Sequence, residues 1–273
     1  MNRAYTRRNY TKVFFPLGLE YDCCTECAEE FPHRVVYSQQ SFQEELTDNY
    51  RKFLPNNYRD IDGETGVITN MFKLGNNVFL HTEEALWQVP RNYQERITDQ
   101  IVSFLGTGEF FSVPPQKIAD SNYGISAGLI QKRSANKNPF GYFYVSEKES
   151  RIYWFNGQQS VPISQSGLSV EIENLLNNSG TFVTGYDPVL QRTLFTGLGK
   201  IPFTLSFNNL TNTWLSYHSY IPELYLATRN NFYSVNSELI YEHHKGEYLK
   251  FRGVKHPYIV EIVEGSEPIQ NKV

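Results

Sequence analysis

Residues 182–253 decide the fold, because they repeat one pattern four times. In order, the pieces are FVTGYDPVLQRTLFTG (182–197), IPFTLSFNNLTNTWLSYHSY (201–220), ELYLATRNNFYSVNS (223–237) and LIYEHHKGEYLKFRG (239–253). Each piece places two short runs of aromatic and β-branched residues around a small polar centre. Such runs are typical of strands, and Asn, Asp and Pro at a centre favour reversal of the chain. The pattern therefore predicts consecutive β-hairpins.

The spacing of these hairpins bears on the architecture. Phe195, Trp214 and Tyr233 hold matching positions at intervals of 19 residues, and two earlier hairpins of the same kind lie at 78–89 and 143–155. A hairpin about every 20 residues, taken in pairs, approximates the roughly 40–50-residue period of a propeller blade. The sequence predicts an all-β, propeller-like fold, with an irregular β-sandwich as the alternative.

Two short helices are expected besides the hairpins. In the stretch 41–58, an apolar stripe at helical spacing begins with a capping-box pattern at Ser41 and runs to Leu54, and Pro55 is expected to end the helix. This helix faces either the core or a partner. Residues 168–176 form the second helix, with Ser166 or Ser169 as the expected N-cap.

The expected organisation has three parts. An irregular or helical segment spans 1–60, the hairpin-repeat domain spans 61–263, and a polar tail spans 264–273. The domain includes one more expected strand, at 258–263. Because irregular remainders flank the repeats, we expect a segment of a longer polypeptide or one that pairs with other chains.

Composition narrows the function classes. The net charge is −4, the pI is about 5.9, and no long run of Lys or Arg occurs, so binding to nucleic acid through phosphates is not favoured. No stretch has the ~18 apolar residues of a membrane span, and the basic N-terminus lacks the apolar core of a signal peptide. Aromatic residues make up 15% of the chain, which is typical of strands and of protein contact surfaces.

The cysteines form one local group. Cys23, Cys24 and Cys27 lie close together, and His33 is the nearest histidine. Three thiols and one imidazole could form a Cys₃His zinc site. The alternative is three reduced thiols without a metal, and no cofactor is predicted.

Catalytic motifs are absent from the sequence. It contains no H-E-x-x-H, no G-x-S-x-G and no phosphate-binding or dinucleotide fingerprint. His243 and His244 are adjacent near an expected strand end, so their side chains should diverge rather than share a metal. Residues 211–214 keep only the tail of the sialidase Asp box. We therefore predict that the chain is not an enzyme.

Several segments together carry a resemblance to a known family. They include VYSQQSFQEELTDNYRKFLPNNYRDIDGETGVITNM (36–71), FLHTEEALWQVP (79–90), RIYWFNG (151–157), FTLSFNNLTNTWLSYHSYIPELY (203–225) and YEHHKGEYLKFRGV (241–254). The chain resembles, over about residues 35–263, the large tail proteins of crAss-like bacteriophages of gut Bacteroidales, often labelled stabilisation or muzzle proteins. These motifs are aromatic hairpins and say nothing of an active site.

The resemblance implies a structural part of the virion in the tail of a short-tailed phage, made in the cytoplasm of the bacterial host. It also implies that other tail subunits are the partners, in a homo-oligomeric ring. A module that binds host surface glycans and a tail-borne glycan hydrolase are the alternatives. Because aromatic anchors supply most interface energy, we expect contacts through Trp87, Trp154, Trp214, Tyr217, Tyr220, Tyr225 and Tyr233.

Overall fold

The computed structural model describes residues 30–39, 49–90, 95–98, 101–103, 111, 113–120, 127–248 and 250–255. Strands dominate these residues and all pair in antiparallel fashion, which confirms the predicted all-β class. The three cysteines and the expected strand at 258–263 lie outside the described residues.

The described strands form four main sheets and three two-stranded ribbons. The strand bounds are β1 Arg34–Val36, β2 Tyr58–Asp60, β3 Ile68–Leu74, β4 Asn77–Thr82, β5 Ala85–Val89, β6 Glu95–Thr98, β7 Ile101–Ser103, β8 Gln116–Asp120, β9 Ala135–Asn138, β10 Gly141–Ser146, β11 Arg151–Phe155, β12 Ser160–Pro162, β13 Ser179–Asp187, β14 Arg192–Gly199, β15 Phe203–Asn208, β16 Thr213–Tyr217, β17 Leu224–Ala227, β18 Phe232–Asn236, β19 Leu239–Glu242, β20 Lys250–Phe251 and β21 Val254–Lys255. Sheet 1 has the order β3-β4-β5-β8, sheet 2 is β9–β12, sheet 3 is β13–β16 and sheet 4 is β17–β19, while β1-β2, β6-β7 and β20-β21 are ribbons.

The helical elements are short. The α-helix α1 covers Ser169–Asn177, and 3₁₀ turns cover Asn49–Arg51, Gly63–Thr65, Lys132–Ser134 and Ile163–Gln165.

The polar centres of the hairpins act as turns, as predicted. At the β13–β14 turn, the Asp187 carboxylate accepts the backbone N–H groups of Val189 (3.1 Å) and Leu190 (3.4 Å). At the β15–β16 turn, the Asn208 side chain accepts the backbone N–H of Leu210 (2.8 Å). These bonds satisfy backbone donors that the reversal removes from the strand ladder, so local sequence specifies where each strand ends.

Strand alternation explains how sheet 2 packs. Successive side chains of a strand point to opposite faces. In β10, Tyr142 and Tyr144 join the cluster shared with sheet 1, whereas Phe143 and Val145 join the cluster shared with sheet 3. Both faces of sheet 2 are therefore covered by a neighbouring sheet.

The same arrangement continues along the chain. Phe182 and Phe195 of sheet 3 pack toward sheet 2 and α1, while Val183 and Leu194 pack toward sheet 4. The four sheets thus form a series, stacked face to face in chain order. Closure of this series into a barrel or propeller is not detected in the described part of the chain.

The outer face of sheet 1 is covered by residues in and next to the two-stranded β1-β2 ribbon, not by another large sheet. Leu80 and Trp87 of this sheet pack against Ile61, and Val35 and Tyr37 contact the same cluster. We call the β1-β2 ribbon together with Phe31 and Leu54 the β1-β2 layer. This layer is the first element of the stack and sheet 4 is the last.

The helix predicted from Ser41 to Leu54 does not extend as far as expected. Residues 49–51 form a 3₁₀ turn, residues 52–57 contain no helix, and Tyr58 begins β2. The prediction is wrong at residues 52–54, where the Lys52 carbonyl accepts the backbone N–H of Gln39 (2.8 Å) instead of that of a later helical residue. Residues 40–48 lie outside the described residues.

The second helix is confirmed, although its expected cap is not. Leu168 is the N-cap residue and makes no side-chain capping bond, while Ser169 is already helical. The apolar side chain of Leu168 packs on the cluster between sheets 2 and 3, so tertiary packing sets the start of α1. The helix ends at Asn177, and the Asn178 side chain donates to the carbonyl of Asn174 (2.8 Å).

The fourth quoted piece does not form the hairpin that the pattern predicts. Its first run, β19, pairs with β18 of the preceding piece, with Asn236 opposite Leu239. Its second run forms the separate ribbon β20-β21. The reason is the two-residue connection after Asn236, where Ser237 adopts a φ of 54° and lets the chain return at once.

Gly185 of β13 permits the close approach of sheets 3 and 4. A Cβ at this position would lie 2.4 Å from the Cβ of Tyr225 in β17. Because this Tyr225 atom belongs to the rigid base of its side chain, Gly185→Ala is expected to lower the free energy of unfolding by about 1–3 kcal/mol. Urea unfolding of the purified chain measures the change.

Gly180→Ala is the matched control, because Gly180 lies in the same strand and a Cβ there meets no atom within 4 Å. Equal stability of the two variants would contradict the close packing of Tyr225 on β13.

Candidate interaction surface

The three tryptophans that the sequence predicts as contact residues pack against other residues of the same chain. Trp87 is buried in the cluster beneath the β1-β2 layer. Trp154 donates its indole N–H to the carbonyl of Phe140 (2.9 Å), and Trp214 donates to that of Ile163 (3.1 Å). The partly buried rings of Trp154 and Trp214 pack on the core between sheets 2 and 3.

Two of the four tyrosines are also core residues. Tyr220 and Tyr225 are buried between sheets 3 and 4. Burial raises the pKa of Tyr220 to about 12, and it raises the pKa of Tyr225 further, although Tyr225 shares a hydrogen bond of 2.6 Å with Thr196. Buried side chains cannot contact a partner unless the surrounding structure rearranges. The positions of Tyr220 and Tyr225 therefore do not support the predicted contact with a partner, which stays a prediction.

The other two tyrosines reach the surface. Tyr233 is partly buried and donates to the Glu242 carboxylate at 3.4 Å. Tyr217, on the edge strand β16, is 52% exposed. Partial burial, followed by the nearby Glu171 carboxylate, raises the pKa of Tyr217. Of the seven predicted contact residues, Tyr217 has the position best suited to contact a partner.

Of the four expected metal candidates, the structure describes His33 alone. His33 packs near Gly63, and its Nδ1 lies 3.1 Å from the carbonyl oxygen of Gly66. Cys23, Cys24 and Cys27 fall outside the described part of the chain. Among the residues that the structure describes, no group of three or more His, Cys, Asp or Glu side chains could hold a metal ion.

A polar junction connects sheets 3 and 4 at the β13–β14 turn. The fully buried Asp187 carboxylate pairs with Arg192 Nε (3.1 Å) and His244 Nε2 (2.8 Å). His243 points elsewhere, with its Nε2 2.8 Å from the hydroxyl of Ser234, so the adjacent imidazoles serve different partners. Burial, followed by the nearby His244, lowers the pKa of His243 to about 4.

His81 forms a second buried polar network, which the sequence did not single out. Its Nε2–H donates to the carbonyl of Ala127, which leaves Nδ1 to accept from the Tyr142 hydroxyl at 3.1 Å. Asn70 in turn donates to the Tyr142 oxygen at 3.1 Å. Burial lowers the pKa of His81 to about 4, so the ring is neutral at physiological pH. The network therefore links sheet 1, which contains Asn70 and His81, to sheet 2, which contains Tyr142.

The outer face of sheet 4 is an apolar surface. Leu224 and Leu226 of β17 stand opposite Val235 and Tyr233 of β18, and Ile240 of β19 completes the row beside Val235. Leu224, Leu226 and Ile240 are exposed, and Ile240 reaches 64%. The inner face of the same sheet buries Tyr225 and Phe232 against sheet 3. Sequence alternation alone could have indicated two apolar faces, but not which one is covered.

No helix in the described ranges has the length and apolar character that crossing a membrane requires. Besides the packed sheets, the described residues contain two buried polar networks and one exposed apolar face on sheet 4.

Two comparisons with known proteins bear on this geometry. A protein family described as "Crassvirus muzzle protein" matches residues 1–238. A relative named "Muzzle protein", from Bacteroides phage crAss001, is 22% identical over 287 aligned positions. That alignment covers 100% of this chain and 20% of the relative, so the chain spans about a fifth of the relative's length.

Proposed function

This chain belongs to the crassvirus muzzle protein family, and we propose that it is a structural component of the bacteriophage tail. In this proposal the chain is a rigid, β-rich part of the virion that assembles with other tail subunits in a ring. It makes or breaks no covalent bond.

The observation that carries the proposal is the continuous series of sheet-on-sheet interfaces. Sheets 1 and 2 share a cluster that includes Phe79, Tyr144 and Phe155. The cluster between sheets 2 and 3 includes Phe143 and Phe195, and a third cluster follows between sheets 3 and 4. Interiors packed in this way transmit load with little compression, which suits a part that must keep its shape during assembly.

The polar side chains support the same proposal. Among the described residues, His81, Asp187 and His243 are buried groups whose chemistry a catalyst could use, yet each is engaged in hydrogen bonds or ion pairs within the packed sheets. All three indoles, which would be the strongest platforms for stacking on sugars, pack within the chain. These contacts favour a structural role over the glycan-binding and hydrolase alternatives, which remain predictions.

Purified phage particles test the proposal. We expect the chain to copurify with particles in a fixed ratio to the capsid protein, and antibody labelling to place it at the tail. Phage that carry a premature stop codon in this reading frame should yield particles without complete tails. Presence of the chain in infected cells but absence from purified particles would contradict a virion role, and labelling on the capsid shell would contradict the tail location.

A further inference from the structure

We propose that the contact between sheets 3 and 4 is an acid-sensitive switch: at acidic pH, sheet 4 and the β20-β21 ribbon separate from sheet 3, while sheets 1, 2 and 3 stay packed. We call this contact the sheet 3–4 interface, and its apolar part is the cluster of Val183, Leu194, Tyr220, Tyr225 and Phe232. Such a change is independent of the proposed function, because it concerns one interface of the chain wherever the chain lies in the virion.

Histidines are concentrated at the sheet 3–4 interface. Of the five histidines in the described residues, His218 lies on the side of sheet 3, after β16, and His243 and His244 lie on the side of sheet 4, after β19. The other charged or titratable groups around them are Asp187 and Arg192 of sheet 3, Tyr220 of the connection to sheet 4, Tyr225 and Tyr241 of sheet 4, the Glu242–Lys245 ion pair beside His243, and Arg252 of the ribbon. Groups that gain a proton as the pH falls therefore lie on both sides of the interface.

The imidazole of His243 is enclosed by side chains from every layer of the interface. Its Nε2 lies 2.8 Å from the hydroxyl of Ser234 in β18. Its ring centroid lies 5.2 Å from that of Tyr220 and 4.8 Å from that of Phe232. Phe251 of the ribbon lies on a further side, with its ring centroid 5.9 Å away. A proton added to this ring would place a charge among aromatic side chains, which is costly unless the interface opens to water.

The charge balance of the interface is already positive. Asp187 supplies its carboxylate, and this group pairs with Arg192 Nε (3.1 Å) and His244 Nε2 (2.8 Å). A second guanidinium, that of Arg252, lies 4.4 Å from the ring centroid of Tyr241, and its Nε and Nη2 are buried without a hydrogen-bond partner in the described part of the chain. Because one carboxylate faces two guanidiniums, each further positive charge is repelled.

His218 and His243 are the groups that the switch uses. Burial, followed by the nearby Arg192, lowers the pKa of His218 to about 4. Burial, followed by the nearby His244, lowers the pKa of His243 to about 4. Opening the interface returns each pKa toward 6.5, so the open state binds protons more readily. The contribution of both groups to closure is complete above pH 6.5 and is lost as the pH falls toward 4. A proton on His244 has the opposite effect, since it strengthens the pair with Asp187.

Sheet 4 can separate without disturbing the other sheets. It is the last described sheet of the stack, its strands pair with one another, and Leu226 and Ile240 on its outer face are exposed. A different cluster, which includes Phe143 and Phe195, holds sheets 2 and 3 together. His81 also gains a proton in acid, but it lies between sheets 1 and 2, where it is bonded to both. Separation of sheet 4 therefore breaks one interface and no strand pairing.

Hydrogen exchange of the full chain, read by mass spectrometry at pH 7 and pH 5, tests the switch. Each imidazole whose pKa changes from about 4 to about 6.5 on opening favours the open state by about 20-fold over this pH range. Two such groups give a change on the order of several hundredfold. After correction for the intrinsic exchange rate at each pH, the amide protection of residues 224–242 should fall by this factor. Residues 141–155 of sheet 2 should stay more strongly protected at both pH values.

Variants of the two histidines assign the effect. Asparagine keeps a polar side chain but gains no proton in this range, so His218→Asn and His243→Asn should each reduce the fall in protection to about 20-fold. The double variant should show almost no fall. His33→Asn is the matched control, because His33 is a partly buried histidine that lies away from this interface, near Gly63, and this variant should behave like the unchanged chain. Circular dichroism at pH 7 shows whether each variant is folded.

Three results would overturn the proposal. The first is protection of residues 224–242 that does not change between pH 7 and pH 5. The second is equal protection of sheets 2 and 4 at pH 5, because the two sheets then open as one unit. The third is a folded double variant that keeps the fall of the unchanged chain, because the histidines then do not cause it. None of these results bears on the virion role, which particle composition tests separately.

Discussion

Replacing Phe143 with alanine is expected to lower the free energy of unfolding by about 3–5 kcal/mol. Phe143 is 1% exposed, and its ring centroid lies 6.5 Å from that of Phe195 and 6.2 Å from that of Phe207 in sheet 3. Truncation removes apolar contact and leaves a cavity at the centre of the interface between sheets 2 and 3. Urea unfolding, followed by circular dichroism, measures the loss.

Met71→Ala is the control for this substitution, because Met71 is a large apolar strand residue that is 58% exposed. Its effect should stay within about 0.5 kcal/mol. If Phe143→Ala were as stable as Met71→Ala, sheets 2 and 3 would not share the core described above, and the support for a rigid stack would be lost.

Acidification is expected to destabilise the chain through His81. The pKa of this imidazole is lowered from 6.5 to about 4 by burial, so the unfolded chain binds the proton more readily than the folded chain. Stability from this group is complete above pH 6.5 and decreases as the pH falls toward 4. Integrated over that window, the loss is about 3 kcal/mol. Urea unfolding at a series of pH values gives the slope.

The variant His81→Asn separates this effect from other titrations. An asparagine has no proton to gain in this window, so the variant should be less stable at neutral pH but should show a shallower dependence on pH. His218 and His243 also have a pKa lowered to about 4, mainly by burial, and they contribute to the slope that remains. A slope unchanged from that of the parent chain would contradict a neutral, buried His81.

Local sequence patterns predicted the hairpins and their turns correctly. They failed where contacts between distant residues determine the secondary structure. The turns after Asp187 and Asn208 follow from side chains that bond to the backbone two residues ahead, which is local chemistry. By contrast, β19 joined β18 instead of the downstream run, because strand pairing is a competition between segments. The helix expected up to Leu54 does not continue past Arg51 for the same reason, since the Lys52 carbonyl bonds to Gln39 of another segment.

For the candidate interaction surface too, sequence could not show which aromatic residues are buried in the core and which are exposed. Sequence identifies Trp87, Trp154 and Trp214 as large amphipathic side chains, but such residues serve equally in a core and at an interface. The structure places them in the chain's own clusters and leaves Ile240 and Val36 exposed instead. His81 gave no sequence signal, because its role depends on Tyr142, which lies 61 residues away.

By itself, the sequence determined the all-β class, the positions of most strands and their turns, and membership in a family of phage proteins. These features depend on local periodicity, turn chemistry and overall similarity, which are all present in the linear chain. Only the tertiary structure decided which face of each sheet is covered, which polar groups are buried together and which apolar face remains exposed. Alternation assigns side chains to two faces of a strand, but the partner of each face is a contact between residues distant in sequence.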